Sequence, residues 1–351
     1  MSRQSKIDAF DPSGFSLSES GIFGLPFDRD DAQLVIIPVP WDVTVSYSDG
    51  TAGAPEAILG ASKQVDLFYS GITDAWKMGI AMEDVPLEWA DLNRHYRKKA
   101  QQIIDLLADG NDSQSSDLKA RLAEVNEQCA DLCEYVRNTA LALIAEGKKV
   151  ALVGGDHSTP LGLIQAMAQH YPEFGVLQLD AHADLRDAFE GFEYSHASIS
   201  FNALKIKELK TLVQVGVRDM CEAEVNLING SNGRIVVHYD AQMKQARFAG
   251  ELWNTRCEAI ISDLPQNVYV TVDIDGLDPK LCPNTGTPVP GGLEFEEAVH
   301  LIRKVVDSGR TIIGFDLVEV GPSENEWDAN VGARLLYHLC NQMGRSNGLL
   351  Q

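Results

Sequence analysis

Seven short runs rich in Val, Ile and Leu constrain the fold most: QLVIIPVP (33–40), KVALVGG (149–155), FGVLQLD (174–180), TLVQVGV (211–217), RIVVHYD (234–240), VYVTVDID (268–275) and TIIGFDLVEV (311–320). Their apolar residues are consecutive rather than alternate, as in strands buried on both faces of a parallel sheet. Amphipathic stretches at 54–66, 160–170, 294–307 and 328–343 fill the gaps. The chain therefore predicts an α/β fold with a mainly parallel sheet covered by helices.

With 351 residues, 44% of them hydrophobic, the chain can bury a large core. Residues 31–351 read as one domain. Residues 1–30 are polar, without a sustained period, and read as an N-terminal arm. Residues 88–147 hold two long helical stretches separated by the turn-forming GNDSQSSD, so they read as a helical hairpin inserted against the core. The six cysteines form neither a CxxC pair nor a disulfide ladder, which fits buried thiols in a reducing cytoplasm. Cys129 and Cys133 stand one helical turn apart. The net charge of −22 argues against nucleic acid and anionic membranes as partners, and suits a small cationic substrate. No apolar run reaches about 18 residues, and the N-terminus lacks a secretory signal, so no membrane span is expected.

The chemistry-bearing residues gather where three of the runs end. Gly154-Gly155-Asp156-His157-Ser158 follows the first, Asp180-Ala181-His182-Ala183-Asp184 the second, and Asp273-Ile274-Asp275-Gly276 the third. Ligands of open parallel sheets collect at such carboxyl ends. In extended backbone, side chains at i, i+2 and i+4 share a side. Asp180, His182 and Asp184 then project together, as do Asp273 and Asp275. With His157 they make four carboxylates and two imidazoles. Four carboxylates alone would repel and resist ionisation. Two divalent ions, roughly 3.5–4 Å apart, remove that objection. An Asp-x-His-x-Asp alone is equally well a hydrogen-bonded loop; all three segments together point to a binuclear site. The donor set lacks sulfur and suits Mn²⁺, with Ni²⁺, Co²⁺ or Zn²⁺ as alternatives.

GGDHS, DAHADLR, VDIDGLDP and DLVEVGP, in this order, resemble the signatures of the arginase/agmatinase (ureohydrolase) family over roughly residues 33–345, closest in motifs to agmatinase. The resemblance implies a three-layer α/β/α sandwich, two manganese ions with nickel as the alternative, and a homo-oligomer, commonly a trimer or hexamer. It places one ion on His157, Asp180, Asp184 and Asp273, and the other on His182, Asp180, Asp273 and Asp275. Asp180 and Asp273 would bridge. Segment 88–147 is longer than a compact agmatinase requires.

In EGFEYSHAS, His196 is a candidate proton shuttle, with an intrinsic pKa suited to protonating a leaving amine; the plainer reading is a loop histidine bonded to backbone. The resemblance makes it catalytic, and the formimidoylglutamase branch lacks it. Glu319, ending the last run, can accept paired hydrogen bonds from a planar guanidinium, the role the resemblance gives it. Asp275, besides ligating, can accept a hydrogen bond from the attacking water. Asp316, Asp156 and Asp278 are candidates for orienting the ligands. Thr51, in SYSDGTAGAP, and Trp327, in SENEWD, are candidate pocket residues, and Thr285–Gly292 a candidate rim. Arg186 is expected to pair with a carboxylate rather than touch a cation.

The function these residues predict is hydrolysis of a small guanidino compound, agmatine-like, to urea and an amine. The alternatives are a guanidine or guanidino-acid hydrolase, a formimidoylglutamase, and a non-catalytic scaffold relative. Retention of all six ligand candidates with His196 and Glu319 argues against the last. A Trp327 that closed a small pocket would favour free guanidine.

Overall fold

A computed structural model describes residues 2–17 and 19–350. Eight strands form one sheet: β1 (Leu34–Val39), β2 (Ile80–Met82), β3 (Lys149–Gly154), β4 (Phe174–Leu179), β5 (Leu209–Val215), β6 (Ile235–His238), β7 (Asn267–Asp273) and β8 (Thr311–Val318). Their order is β2-β1-β3-β8-β7-β4-β5-β6, and each neighbouring pair is parallel. Every residue of β1 and β4 is buried, which is why their sequences show no alternation. Helices cover the sheet in a three-layer α/β/α arrangement. The helix Phe295–Asp307 shows the clearest two-faced pattern, burying Ala298, Leu301, Ile302 and Val305.

Topology fixes where a site can form. After β3 the chain steps over two positions to begin β4, and β7 and β8 later fill them. The carboxyl ends of β3, β8, β7 and β4 therefore stand side by side at the point where strand order reverses. GGDHS, DLVEV, VDID and DAHAD leave from these four ends.

The seven expected strands are present. An eighth, β2, is only Ile80-Ala81-Met82 and pairs with β1 at the sheet edge. Much of segment 1–30 is seated against the rest of the chain. Helix Arg3–Ala9 is held by the Arg3 guanidinium, which donates to Met78 O at 2.8 Å and to Gln33 Oε1 at 2.9 Å. Ile22, Phe23 and Leu25 lie in the core, the Phe23 ring 4.9 Å from that of Tyr337.

The expected hairpin consists of helices Leu87–Ala108 and Ser116–Ala145. The second starts at Ser115, whose hydroxyl accepts from Leu118 N as an N-cap. Its buried stripe, Val125, Cys129, Leu132, Val136, Ala140 and Leu143, repeats every three or four residues and faces the core. Trp89 connects the hairpin to the end of β1, with ring centroids 5.9 Å from Trp41 and 5.1 Å from Tyr135.

Candidate metal centre

The six ligand candidates meet, but not through extended backbone. β4 ends at Leu179, and the following turn holds Asp184 in the left-handed region at φ 53°. Asp275 lies in a short 3₁₀ turn, its N–H donating to Asp273 Oδ1 at 2.9 Å. Hydrogen bonds within and between the loops impose the convergence that strand periodicity alone could not. His182 N donates to Asp180 Oδ1 at 2.6 Å, and Ala181 N to Asp275 Oδ1 at 3.0 Å. Gly276 lets the two loops touch, since a Cβ there would sit 2.6 Å from Asp180 N.

The result is two overlapping donor groups. His157, Asp180 and Asp273 form one, and Asp180, His182 and Asp275 the other, so Asp180 belongs to both. His157 Nδ1 lies 3.0 Å from Asp180 Oδ2, 3.0 Å from Asp184 Oδ2 and 3.3 Å from Asp273 Oδ2. His182 Nδ1 lies 3.1 Å from Asp275 Oδ2 and 3.6 Å from Asp180 Oδ1. Asp273 falls within the His157 group alone.

The electrostatics of this cluster suit cations. Burial, then the charges of Asp275 and Asp180, push Asp273 well above the usual carboxylate range. Burial and the Asp180 charge raise Asp184 to about 7. Burial opposes charge on His182, yet Asp275 and Asp180 raise it to about 12. Burial also works against Asp180, but hydrogen bonds from His157 and His182 hold it below the ordinary range. So many buried carboxylates around two imidazole nitrogens demand positive charge. A pair of divalent ions held by oxygen and nitrogen donors fits that demand.

Beneath the cluster runs a polar row that the motifs did not reveal. Gln214, Gln178, Thr271 and Asp316 are buried and stand in register across β5, β4, β7 and β8. Gln178 Nε2 donates to Asp180 Oδ2 at 2.7 Å. His157 Nε2 is 2.8 Å from Thr271 Oγ1, whose hydroxyl donates to Asp316 Oδ1 at 2.8 Å. Such partners fix ring orientation and ligand basicity. The sequence signal was present: Gln178 and Thr271 are polar residues in apolar strands, two positions before Asp180 and Asp273, and therefore on the same face. Thr271→Val should preserve the fold while weakening divalent-ion affinity by roughly 10- to 100-fold, read by chelator competition. Affinity within twofold of wild type would remove Thr271 from this role.

A cavity of about 140 Å³ opens beside the donors, lined in part by Ser46, His182, Phe189, His196, Asp219 and Thr287. His196 has its Nδ1 3.3 Å from Ser195 Oγ and its ring 6.2 Å from that of Phe189. Burial, then the charges on His182 and His157, push its pKa down to about 4. Glu319 is buried and is not among that cavity's lining residues; at φ 60°, its Oε1 accepts from His157 N at 2.9 Å and its Oε2 makes no hydrogen bond among the described residues. Arg186 lies 4.0 Å from Glu224 and 4.6 Å over the Phe189 ring.

Other candidates sit elsewhere. Thr51 is buried in the loop after β1 and is not among the cavity's lining residues. Trp327 is 42% exposed, its indole donating to Lys280 O at 3.0 Å, and the structure does not bring it to the cavity. Asp156 accepts from Ser158 N and so shapes the loop that carries His157. Asp278 was expected to orient ligands; instead it accepts from Lys280 N at 3.0 Å and pairs with that side chain in the turn that follows.

Comparison with known proteins agrees with this geometry. Residues 32–341 match the model of the arginase family. An N(1)-aminopropylagmatine ureohydrolase of Synechocystis is 33% identical over 320 residues, 90% of each chain. An agmatinase of Cronobacter sakazakii is 29% identical, over 87% of this chain and 84% of its own. Among solved structures, agmatine ureohydrolase of Thermoplasma volcanium superposes with a TM-score of 0.70 at 21% identity, covering 98% of this chain and 99% of that one. Proclavaminate amidino hydrolase from Streptomyces clavuligerus also gives 0.70, at 22% identity, over 95% and 100%. The structural likenesses carry the fold, and the family model with the 33% relative settles membership: the chain belongs to the arginase family.

Proposed function

We propose that this protein is a ureohydrolase that cleaves an alkylguanidinium of the agmatine type to urea and an amine, with two manganese ions. The observation that carries the reading is the pair of Asp/His groups sharing Asp180 beside the cavity where His196 sits. When bound, the ions lower the pKa of nearby water and supply Lewis acidity. Asp275 Oδ2, which makes no hydrogen bond among the described residues, accepts one from the attacking water and orients it. Glu319 Oε2 takes the guanidinium N–H groups. Water adds to the guanidino carbon and the bond to the alkyl nitrogen breaks; the water's oxygen stays in urea, and both of its protons end on the departing nitrogen, which leaves as an ammonium. His196 is neutral at pH 7, so it first takes a proton and then passes it to the departing nitrogen.

Two observations favour an extended cationic substrate over free guanidine. Trp327 does not close the cavity, and the exposed Asp219 carboxylate stands at its wall, available to a distal ammonium. The test is a product panel with agmatine, aminopropylagmatine, arginine, guanidinobutyrate, guanidine and formiminoglutamate, each with Mn²⁺ and with Ni²⁺. Urea and amine in equal amounts from agmatine or its aminopropyl derivative are expected. Formamide from formiminoglutamate, with no urea from any guanidino compound, would overturn the reading. His196→Ala should lower kcat by roughly 10²-fold while metal content stays constant; activity within twofold of wild type would make His196 structural.

A further inference from the structure

The helical hairpin touches both walls of the pocket that holds the His196 ring. One wall is the loop after β1, whose Thr44 backbone faces the imidazole. The other is the turn Phe189–Phe192, which sets the Phe189 ring at right angles to His196. Neither wall is a strand or a helix, so each needs an outside support to hold the ring in place.

The hairpin supplies a support for each. From its first helix, Asn93 forms a reciprocal pair with Asp42: Asn93 Nδ2 donates to Asp42 Oδ1 at 2.9 Å, and Asp42 N donates to Asn93 Oδ1 at 2.8 Å. Asp42 Oδ2 in turn accepts from Gly50 N at 2.8 Å and Ala52 N at 3.2 Å. Arg97, one turn further along, donates to Val43 O at 3.1 Å. The loop is gripped on both sides of Thr44.

From the second helix, Asn126 spans the other wall. Its Nδ2 donates to Gly191 O at 3.1 Å, and its Oδ1 accepts from Glu193 N at 2.9 Å. The turn it holds is a strained one. Phe189 and Phe192 exchange backbone hydrogen bonds across Glu190 at φ 55° and Gly191 at φ 87°. Two successive positive φ values are a type I′ turn, which favours Asn or Gly and penalises Glu at its first central position. Gly191 also lies flush on the helix, since a Cβ there would come 2.8 Å from Leu122 Cδ1. A turn with an unfavourable residue needs its external bonds to stay put.

We propose that Asn126, with Asn93 on the opposite wall, is a positioning residue that holds the His196 ring at the cavity, and that this is the role of the helical hairpin in catalysis. The inference rests on the proton-shuttle role of His196. Neither asparagine touches the cavity. Asn126 is half-buried on a helix surface, so its replacement leaves no core void.

The test is a double-mutant cycle on the manganese-loaded enzyme, with hydrogen exchange as an independent readout. Asn126→Ala should lower kcat about tenfold with KM and metal content little changed, and should accelerate exchange at Glu193 N–H. Asn126→Asp keeps the acceptor for Glu193 N and loses the donor to Gly191 O, so its loss should be smaller. In a His196→Ala background, Asn126→Ala should cost less than a further twofold, because coupled residues are not additive. A kcat within twofold of wild type for Asn126→Ala, or the same tenfold loss in both backgrounds, would overturn the proposal. If His196→Ala itself retains activity, the shuttle assignment falls first and this inference with it, an outcome read from the single variant alone.

Discussion

Asp180→Ala is expected to give a folded protein that retains no divalent ion after dialysis and turns over no substrate. Asp180 is the one carboxylate common to both donor groups, with Oδ2 3.0 Å from His157 Nδ1 and Oδ1 3.6 Å from His182 Nδ1. Its loss removes a donor from each group and also frees the His182 N–H and Gln178 Nε2 that it accepts. Metal analysis should fall from about two ions per chain, the content of a two-metal hydrolytic site, to near zero. Asp273→Ala is the informative contrast, because Asp273 lies within the His157 group only. If it bridges in the loaded enzyme, both ions should be lost here too; if the geometry of the two groups persists, the His182 group should keep an ion at reduced affinity. Circular dichroism and thermal melting separate metal loss from unfolding. An Asp180→Ala protein that still held two ions would remove the basis for a binuclear centre.

How the site could be read from sequence depended on which physical signal each part carries. β1, β4 and β7 are legible because burial on both faces leaves uninterrupted Val, Ile and Leu. β2 is not, because three residues at a sheet edge contain no period to detect. The ligand candidates are legible through their residue types and their place after strands, but turns rather than extended backbone set their common direction. Asp184 turns at positive φ, and Asp275 sits in a 3₁₀ turn, where Ala181 N of the other loop donates to its carboxylate. That bond connects residues 94 apart, and no local pattern records it.

The supporting residues divide the same way. Gln178 and Thr271 break apolar strands in phase with the ligands, so the period of two could have exposed them. Asn126 could not have been found, because one polar residue among many on an exposed helix face looks like any other. Segment 1–30 reads as an arm from its polar composition, which does not disclose that Ile22, Phe23 and Leu25 within it contribute fully buried side chains. Trp327 misled by type: an aromatic after DLVEVGP suggests a pocket wall, whereas its indole N–H is spent on the Lys280 carbonyl.

Glu319→Gln should reduce kcat/KM on the guanidino substrate by at least about 10²-fold, which is roughly 2.7 kcal/mol of transition-state binding. The geometry makes this replacement specific. Glu319 Oε1 accepts from His157 N, and a glutamine oxygen can keep that bond. The amide nitrogen then occupies the position of Oε2, a buried atom that makes no hydrogen bond among the described residues. There it presents N–H groups to a guanidinium that has only N–H groups to offer. Burial, then the charge of Asp156, already push the Glu319 carboxyl well above its usual range. The ionised form is therefore costly in the free protein, and a cation that pairs with it recovers that cost on binding. Glutamine has no charge to bury, so the melting temperature should hold or rise while activity falls. Metal content should stay at the wild-type value, because Glu319 belongs to neither donor group. Loss of activity with loss of metal would mean that the His157 loop had been disturbed instead. A kcat/KM within fivefold of wild type, with both ions retained, would show that the guanidinium is held by another group.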